Sequence, residues 1–174
     1  METTPAKPEQ PRADVDAAAM LEGLLRLIEG SKDTNDFTRQ RLEAELGMPI
    51  DATDDVNWGG SQRLTSEWRV NVLVSPHPLS EQRTLVLDFG PEPSESSPPM
   101  TGICGMDVNQ FGQRLVKQGM THETMQGEHG MVWSERYTRP GLEVDVTPQP
   151  EADEPDDVRT HQCVKMVHIH KSAH

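Results

Sequence analysis

The sequence predicts an α+β fold: an N-terminal helical hairpin, then a mainly antiparallel sheet with one further helix packed on it. Three observations carry this. Apolar residues recur at helical spacing from Ala17 to Ile28. They alternate with a period of two across 68–74, 85–89 and 131–146. Stretches rich in Pro and Gly separate these segments. Two helices, two strands, a helix and then three or four strands is the order of a sheet covered by helices on one face.

At 174 residues the chain fits one domain. Residues 1–15 carry Pro5, Pro8 and Pro11 among polar neighbours, too little apolar area to offset the entropy of ordering. They are expected as a disordered tail, leaving 16–174 as a single α+β domain.

In the first helix Ala17, Leu21, Leu24, Leu25 and Ile28 share a face, and Gly30 follows as terminator. The second begins at Thr34 or Asn35, places Asp36 in its first turn, turns Phe37, Leu42 and Leu46 inward and stops at Gly47. Residues 48–60 hold Pro49 and Gly59-Gly60 and read as a loop or a short irregular strand. Trp68, Val70, Val72 and Val74 then mark a strand with one buried face, ended by Pro76 and Pro78. Leu85, Leu87 and Phe89 repeat the pattern and are expected to pair with it antiparallel, and 90–99 is an exposed loop.

Asp107 is placed to cap a third helix with Val108, Phe111 and Leu115 on one face and Gly119 beyond its end. Met131, Trp133 and Tyr137 share a strand face, Pro140-Gly141 turns the chain, and Leu142, Val144 and Val146 return. Trp68 and Trp133 are both expected in the core. Residues 148–157 hold five acids and three prolines, the composition of a solvated loop. In 162–170 the apolar positions change parity between Met166 and Val167, as in a central strand or one with a bulge. No internal repeat is visible.

The net charge is −13. Residues 1–60 hold 13 acids and 6 bases, 61–120 hold 6 and 5, and 121–174 hold 10 and 5, so the acidity sits toward the two ends. Such a field repels phosphate backbones and anionic lipid and favours encounter with a basic protein partner. Nucleic-acid and membrane partners are therefore not expected, and the sequence sets no oligomeric state. No apolar run approaches a membrane span and residues 1–16 lack the pattern of a secretory signal, so the expectation is a soluble cytoplasmic chain. Cys104 and Cys163, distant in sequence and each among apolar neighbours, are expected as buried reduced thiols.

No catalytic residue is assigned. The chain lacks G-x-S-x-G, H-E-x-x-H, P-loop and G-x-G-x-x-G patterns. Asp107 close to Cys104 disfavours a thiolate, and the neighbours His122-Glu123 and Glu128-His129 point to opposite faces of a strand. Only the C-terminal His161, Cys163, His168, His170 and His174 cluster metal-ligand types. His168 and His170, at i and i+2, project from one strand face, but a polar strand end near the terminus is the plainer reading. No metal and no cofactor is assigned.

The candidate partner-binding residues are Asp51, Asp54, Asp55 and Trp58 in the first acidic loop, and Glu151, Asp153 and Glu154 in the second. An aromatic residue ringed by acids is the composition of an interface anchor facing basic groups. Trp58 has a second reading, as a cap folded back on the helical hairpin.

With its acidity, α+β layout and lack of a catalytic set, the chain resembles the small acidic immunity proteins that bacteria pair with toxins. The resemblance covers residues 16–170 in architecture and carries over no functional residue. It implies a stoichiometric inhibitor that occludes the active site of a basic toxin. Two alternatives stand beside it: an acidic secretion chaperone for an exported effector, dimerising through the third helix, and a metal-binding enzyme or sensor built on His168 and His170.

Overall fold

The computed structural model describes residues 15–151 and 161–173. The expected tail lies outside this range apart from Val15, which is buried. The Asp16 carboxylate accepts the Ala19 N–H at 2.7 Å, so the first helix, α1, starts at Ala17 and runs to Glu29. Met20, Leu21, Leu24, Leu25, Leu27 and Ile28 form its buried face. The expected second helix is divided. Asp33 caps a single 3₁₀ turn, Thr34–Asp36, and Thr38 caps a separate helix, α2, Arg39–Leu46. Two caps five residues apart, each satisfying a backbone N–H, break the helix at buried Phe37. Gly47 ends α2 in the left-handed conformation, φ 66°.

The sheet has eight strands: β1 Asp51–Ala52, β2 Trp58–Arg63, β3 Trp68–Pro76, β4 Arg83–Pro91, β5 Thr121–Gln126, β6 Val132–Arg139, β7 Leu142–Pro150 and β8 Gln162–His170. The third helix, α3, spans Val108–Lys117 between β4 and β5. Asp107 and Gln110 close a reciprocal capping box at its start. The spatial order is β1-β2-β3-β4-β8-β7-β6-β5 with every neighbouring pair antiparallel. Each half is therefore helix followed by a four-strand meander, and the halves meet where β4 pairs with β8. This is an internal repeat of topology that the residues do not display.

Of the loop or short irregular strand expected over 48–60, the strand reading holds at its end, where β2 begins at Trp58 and runs on to Arg63, because its glycines let backbones approach closely. A Cβ on Gly59 would lie 2.4 Å from the Val72 carbonyl oxygen, and one on Gly60 would lie 2.3 Å from that of Pro49. In β8 the register against β7 passes from Thr147↔Met166 to Pro148↔Val164, so Lys165 is the bulged residue, and its ammonium donates to the Phe89 carbonyl.

Register builds the core in rows. Val74, Leu85, Ile169, Val144 and Tyr137 are successive cross-strand partners, as are Val72, Leu87, Val167 and Val146, and all are buried beneath the helices. Phe111 and Leu115 of α3 join them. The other face of the sheet carries the intervening residues, half-buried or exposed. There Leu73, Val86, His168, Asp145, Arg136 and Glu123 form one row from β3 to β5. Arg139 of β6 ties the layers together by donating to the carbonyls of Ile28 and Ser31 at the end of α1. Among the described residues, no helix is long and apolar enough to cross a membrane.

Candidate functional site

The acidic residues singled out in the sequence do not converge. Asp51, Asp54 and Asp55 are exposed on the turn at the β1 edge. Asp54 shapes that turn: its Oδ1 accepts the N–H groups of Val56 and Asn57, and its Oδ2 accepts the Asn57 amide at 2.7 Å. Those bonds, the Asn57 side chain first, hold its carboxyl below the usual range. Trp58 is half-buried against the core, with the Arg83 guanidinium stacked 3.8 Å from its ring centroid and its buried indole N–H unpartnered. It braces the loop rather than offering a bare aromatic face.

Glu151 lies on the other half of the sheet, at the end of β7, and is buried rather than solvated. Asp153 and Glu154 lie outside the described residues. Glu151 Oε1 faces His161 Nδ1 at 3.2 Å, and His161 Nε2 faces Asp107 Oδ2 at 2.9 Å. The bond to Asp107, assisted by Glu151, raises the His161 pKa against the opposing effect of burial.

Beside this trio the cysteines correct the expectation of free thiols: Cys104 and Cys163 form a disulfide, with Cα atoms 5.0 Å apart. The turn before α3 pairs with the start of β8 through an Asp107↔Cys163 bridge, which brings together residues 59 apart in sequence. Burial among apolar neighbours was read correctly for Cys163; its partner was hidden by the crossover.

Trp68 is buried and donates its indole N–H to the Pro99 carbonyl at 3.0 Å. Trp133, expected beside it in the core, is instead 65% exposed. The register against β5 passes from Met125↔Ser134 to Gln126↔Val132, so Trp133 is the bulged residue of β6 and the alternation that would have aligned it with Tyr137 is broken there. Its ring lies against Gly127, where a Cβ would come within 2.2 Å of the indole. The connecting turn uses left-handed His129 and Gly130, φ 60° and 73°. Met131 and Val132 are exposed beside it, and a groove of about 520 Å³ opens there between Val108, Val132, Pro148 and Pro150. Glu123 and Glu128 are exposed on the same hairpin.

On the open face of the sheet, His168 and His170 of β8 stand beside Glu143 and Asp145 of β7, with ring centroids 5.1 Å apart. His170 Nε2 is 3.1 Å from Asp145 Oδ2 and 3.2 Å from Glu143 Oε1. Arg136 of β6 bonds both carboxylates, at 2.8 Å to Asp145 and 3.0 Å to Glu143. Burial raises the Asp145 pKa, but the bonds from His170 and Arg136 outweigh it and hold the carboxyl at about 2. The bond to Asp145 raises the His170 pKa, whereas burial lowers that of His168. No protein-family model matches this sequence, and neither a curated protein nor a solved structure is significantly similar to it.

Proposed function

We propose that this chain is a non-catalytic, stoichiometric binder of a basic protein, working as an immunity protein that neutralises a toxin by occluding its active site. The observation that carries the reading is the exposed apolar run Met131–Val132–Trp133 on an acidic edge hairpin. Contiguous exposed apolar residues on a charged protein mark an interaction surface. Covering the exposed part of one indole, roughly 100–160 Å² at about 25 cal/mol/Å², contributes about 3 kcal/mol before association entropy is subtracted. The net charge of −13 adds long-range attraction to a basic partner and makes association fast and salt-sensitive. The exposed carboxylates of Asp51 and Asp55 lie at the other edge of the sheet and add to the field rather than to this contact.

The chaperone alternative loses its main argument, because the apolar stripe of α3 is consumed by the protein's own core. The cytoplasmic location expected from the sequence also gives way to a different reading. A disulfide persists in oxidising compartments, so the Cys104–Cys163 bond favours action there.

The test is protection. Co-expression with a candidate basic toxin, directed to the same compartment, is expected to restore growth and give a complex that co-purifies at low salt. Trp133→Ala with Met131→Ser is expected to lose both while keeping the fold. Absence of protection and of a complex with the unaltered chain would overturn the reading.

A further inference from the structure

We propose that Asp145, His168 and His170 form a binding site for a divalent transition-metal ion of the zinc type on the open face of the sheet. One ligand atom from each lies within 4.8 Å of the others. The donor set, two imidazoles and one carboxylate, suits zinc and its neighbours rather than magnesium or calcium, which take oxygen ligands.

Hydrogen bonding at His170 fixes which ring nitrogen carries the hydrogen. Its Nδ1 is 3.1 Å from the Lys171 carbonyl oxygen, which can only accept, so Nδ1 carries the hydrogen. In a neutral ring Nε2 is then a bare lone pair. Yet Nε2 faces carboxylate oxygens of Asp145 and Glu143, at 3.1 and 3.2 Å, and these too are acceptors. Three acceptor atoms converge on one point, which must hold a proton or a cation. Anchoring of the distal ring nitrogen by a backbone carbonyl is how proteins orient metal-binding histidines.

Charge and distance agree. Arg136 offsets one of the two carboxylates and leaves one negative charge unbalanced. It engages Asp145 chiefly through Oδ1, at 2.8 Å, while Oδ2 faces His170. Ligands about 2.0–2.1 Å from a tetrahedral ion lie about 3.3 Å from one another. The observed 3.1 Å between Nε2 and Oδ2 is close to this spacing. His168 stands two residues away on the same strand face and directly opposite Asp145 in the register, with a ring nitrogen within 4.8 Å of the other ligand atoms, so a turn of its ring is needed to close the ligand spacing. Arg136 is the positioning residue for the Asp145 carboxylate. Three protein ligands leave a fourth position open, as in exchangeable rather than closed zinc sites.

The inference is independent of partner binding. The test is titration of the oxidised, full-length chain with Zn²⁺ and with Co²⁺, followed by calorimetry, the cobalt visible spectrum and long-range ¹⁵N spectra of the histidine rings. One ion per chain is expected, with zinc-induced shifts at His168 and His170 and none at His122 or His161. His168→Ala and Asp145→Asn should each weaken binding by more than the about 10- to 100-fold that loss of an orienting partner costs. His161→Gln should leave it unchanged. If Zn²⁺ leaves the His168 and His170 resonances of the unaltered chain in place, so that His170 holds only a proton, or if it shifts other histidines instead, the site is refuted. The ring spectra need no variant, so a misfolded substitution cannot obscure the answer.

Discussion

Reducing the Cys104–Cys163 bond removes one covalent constraint and leaves every side chain in place. The bond closes a loop between residues 59 apart in sequence. On the chain-entropy model, closing a loop of this length in the unfolded state is worth about 4 kcal/mol. Packing changes little, because Cys163 stays buried and each sulfur keeps a polar neighbour: His161 Nδ1 is 3.6 Å from Cys104 Sγ, and Glu151 Oε1 is 3.4 Å from Cys163 Sγ. Urea unfolding of the oxidised and the reduced chain, followed by far-ultraviolet circular dichroism, should therefore differ by about 3–4 kcal/mol in favour of the oxidised form. The reduced form should also unfold with a larger urea dependence, since its denatured state is less compact. A difference below about 1 kcal/mol, or a chain isolated without the bond from an oxidising compartment, would refute the reasoning.

Three further outcomes follow from particular contacts. Gly23→Ala gains about 1 kcal/mol of helix propensity but places a Cβ 2.1 Å from the backbone oxygen of Glu45. Parting α1 from α2 costs more, so a net loss of about 1–2 kcal/mol is expected in thermal or urea unfolding; a gain in stability would show that the two helices slide apart freely. Arg139→Met removes its donor from the Ser31 carbonyl and from the Ile28 carbonyl, which keeps the Ser31 N–H, and should cost about 1–3 kcal/mol in the same measurement. For His161 the folded-state pKa is raised, by Asp107 first, so its contribution is fully present below its unfolded value of about 6.5. That contribution is lost as pH rises through the raised value. The ring is about one-third exposed, so the effect is modest, and His161→Gln should flatten stability against pH across this window. An unchanged slope would exclude the His161–Asp107 pair as its source.

Local signals in the sequence read well wherever one face of an element meets the core. Val70, Val72 and Val74 against Leu85, Leu87 and Phe89 announce the β3–β4 pair, and Asp107 announces α3, because alternation and capping are written within a few residues. What depends on distant pairing was not legible. β8 crosses the molecule to lie between β4 and β7, and that crossover makes the disulfide, buries Glu151 and sets His168 opposite Asp145. β2 was legible only as one of two readings, a loop or a short irregular strand, because Gly59 and Gly60 serve close backbone approach and carry no alternation.

The binding surface proposed from the structure differs from the one expected from the sequence for a related reason. An aromatic residue among acids drew attention to Trp58, which Arg83 covers, while strand parity assigned Trp133 to the core across a bulge that breaks the alternation. A run of three apolar residues, 131–133, against strict alternation was the one available sign of a strand leaving its cover.

Anchoring of a basic partner by Trp133 is the central claim, and the dissociation constant for the complex with the basic toxin that the chain protects against, measured by calorimetry for the unaltered chain and for Trp133→Ala, decides it. A rise of about 30-fold or more, about 2 kcal/mol, with unaltered thermal stability is the predicted result. An unchanged dissociation constant, or no complex with the unaltered chain at low salt, would contradict it.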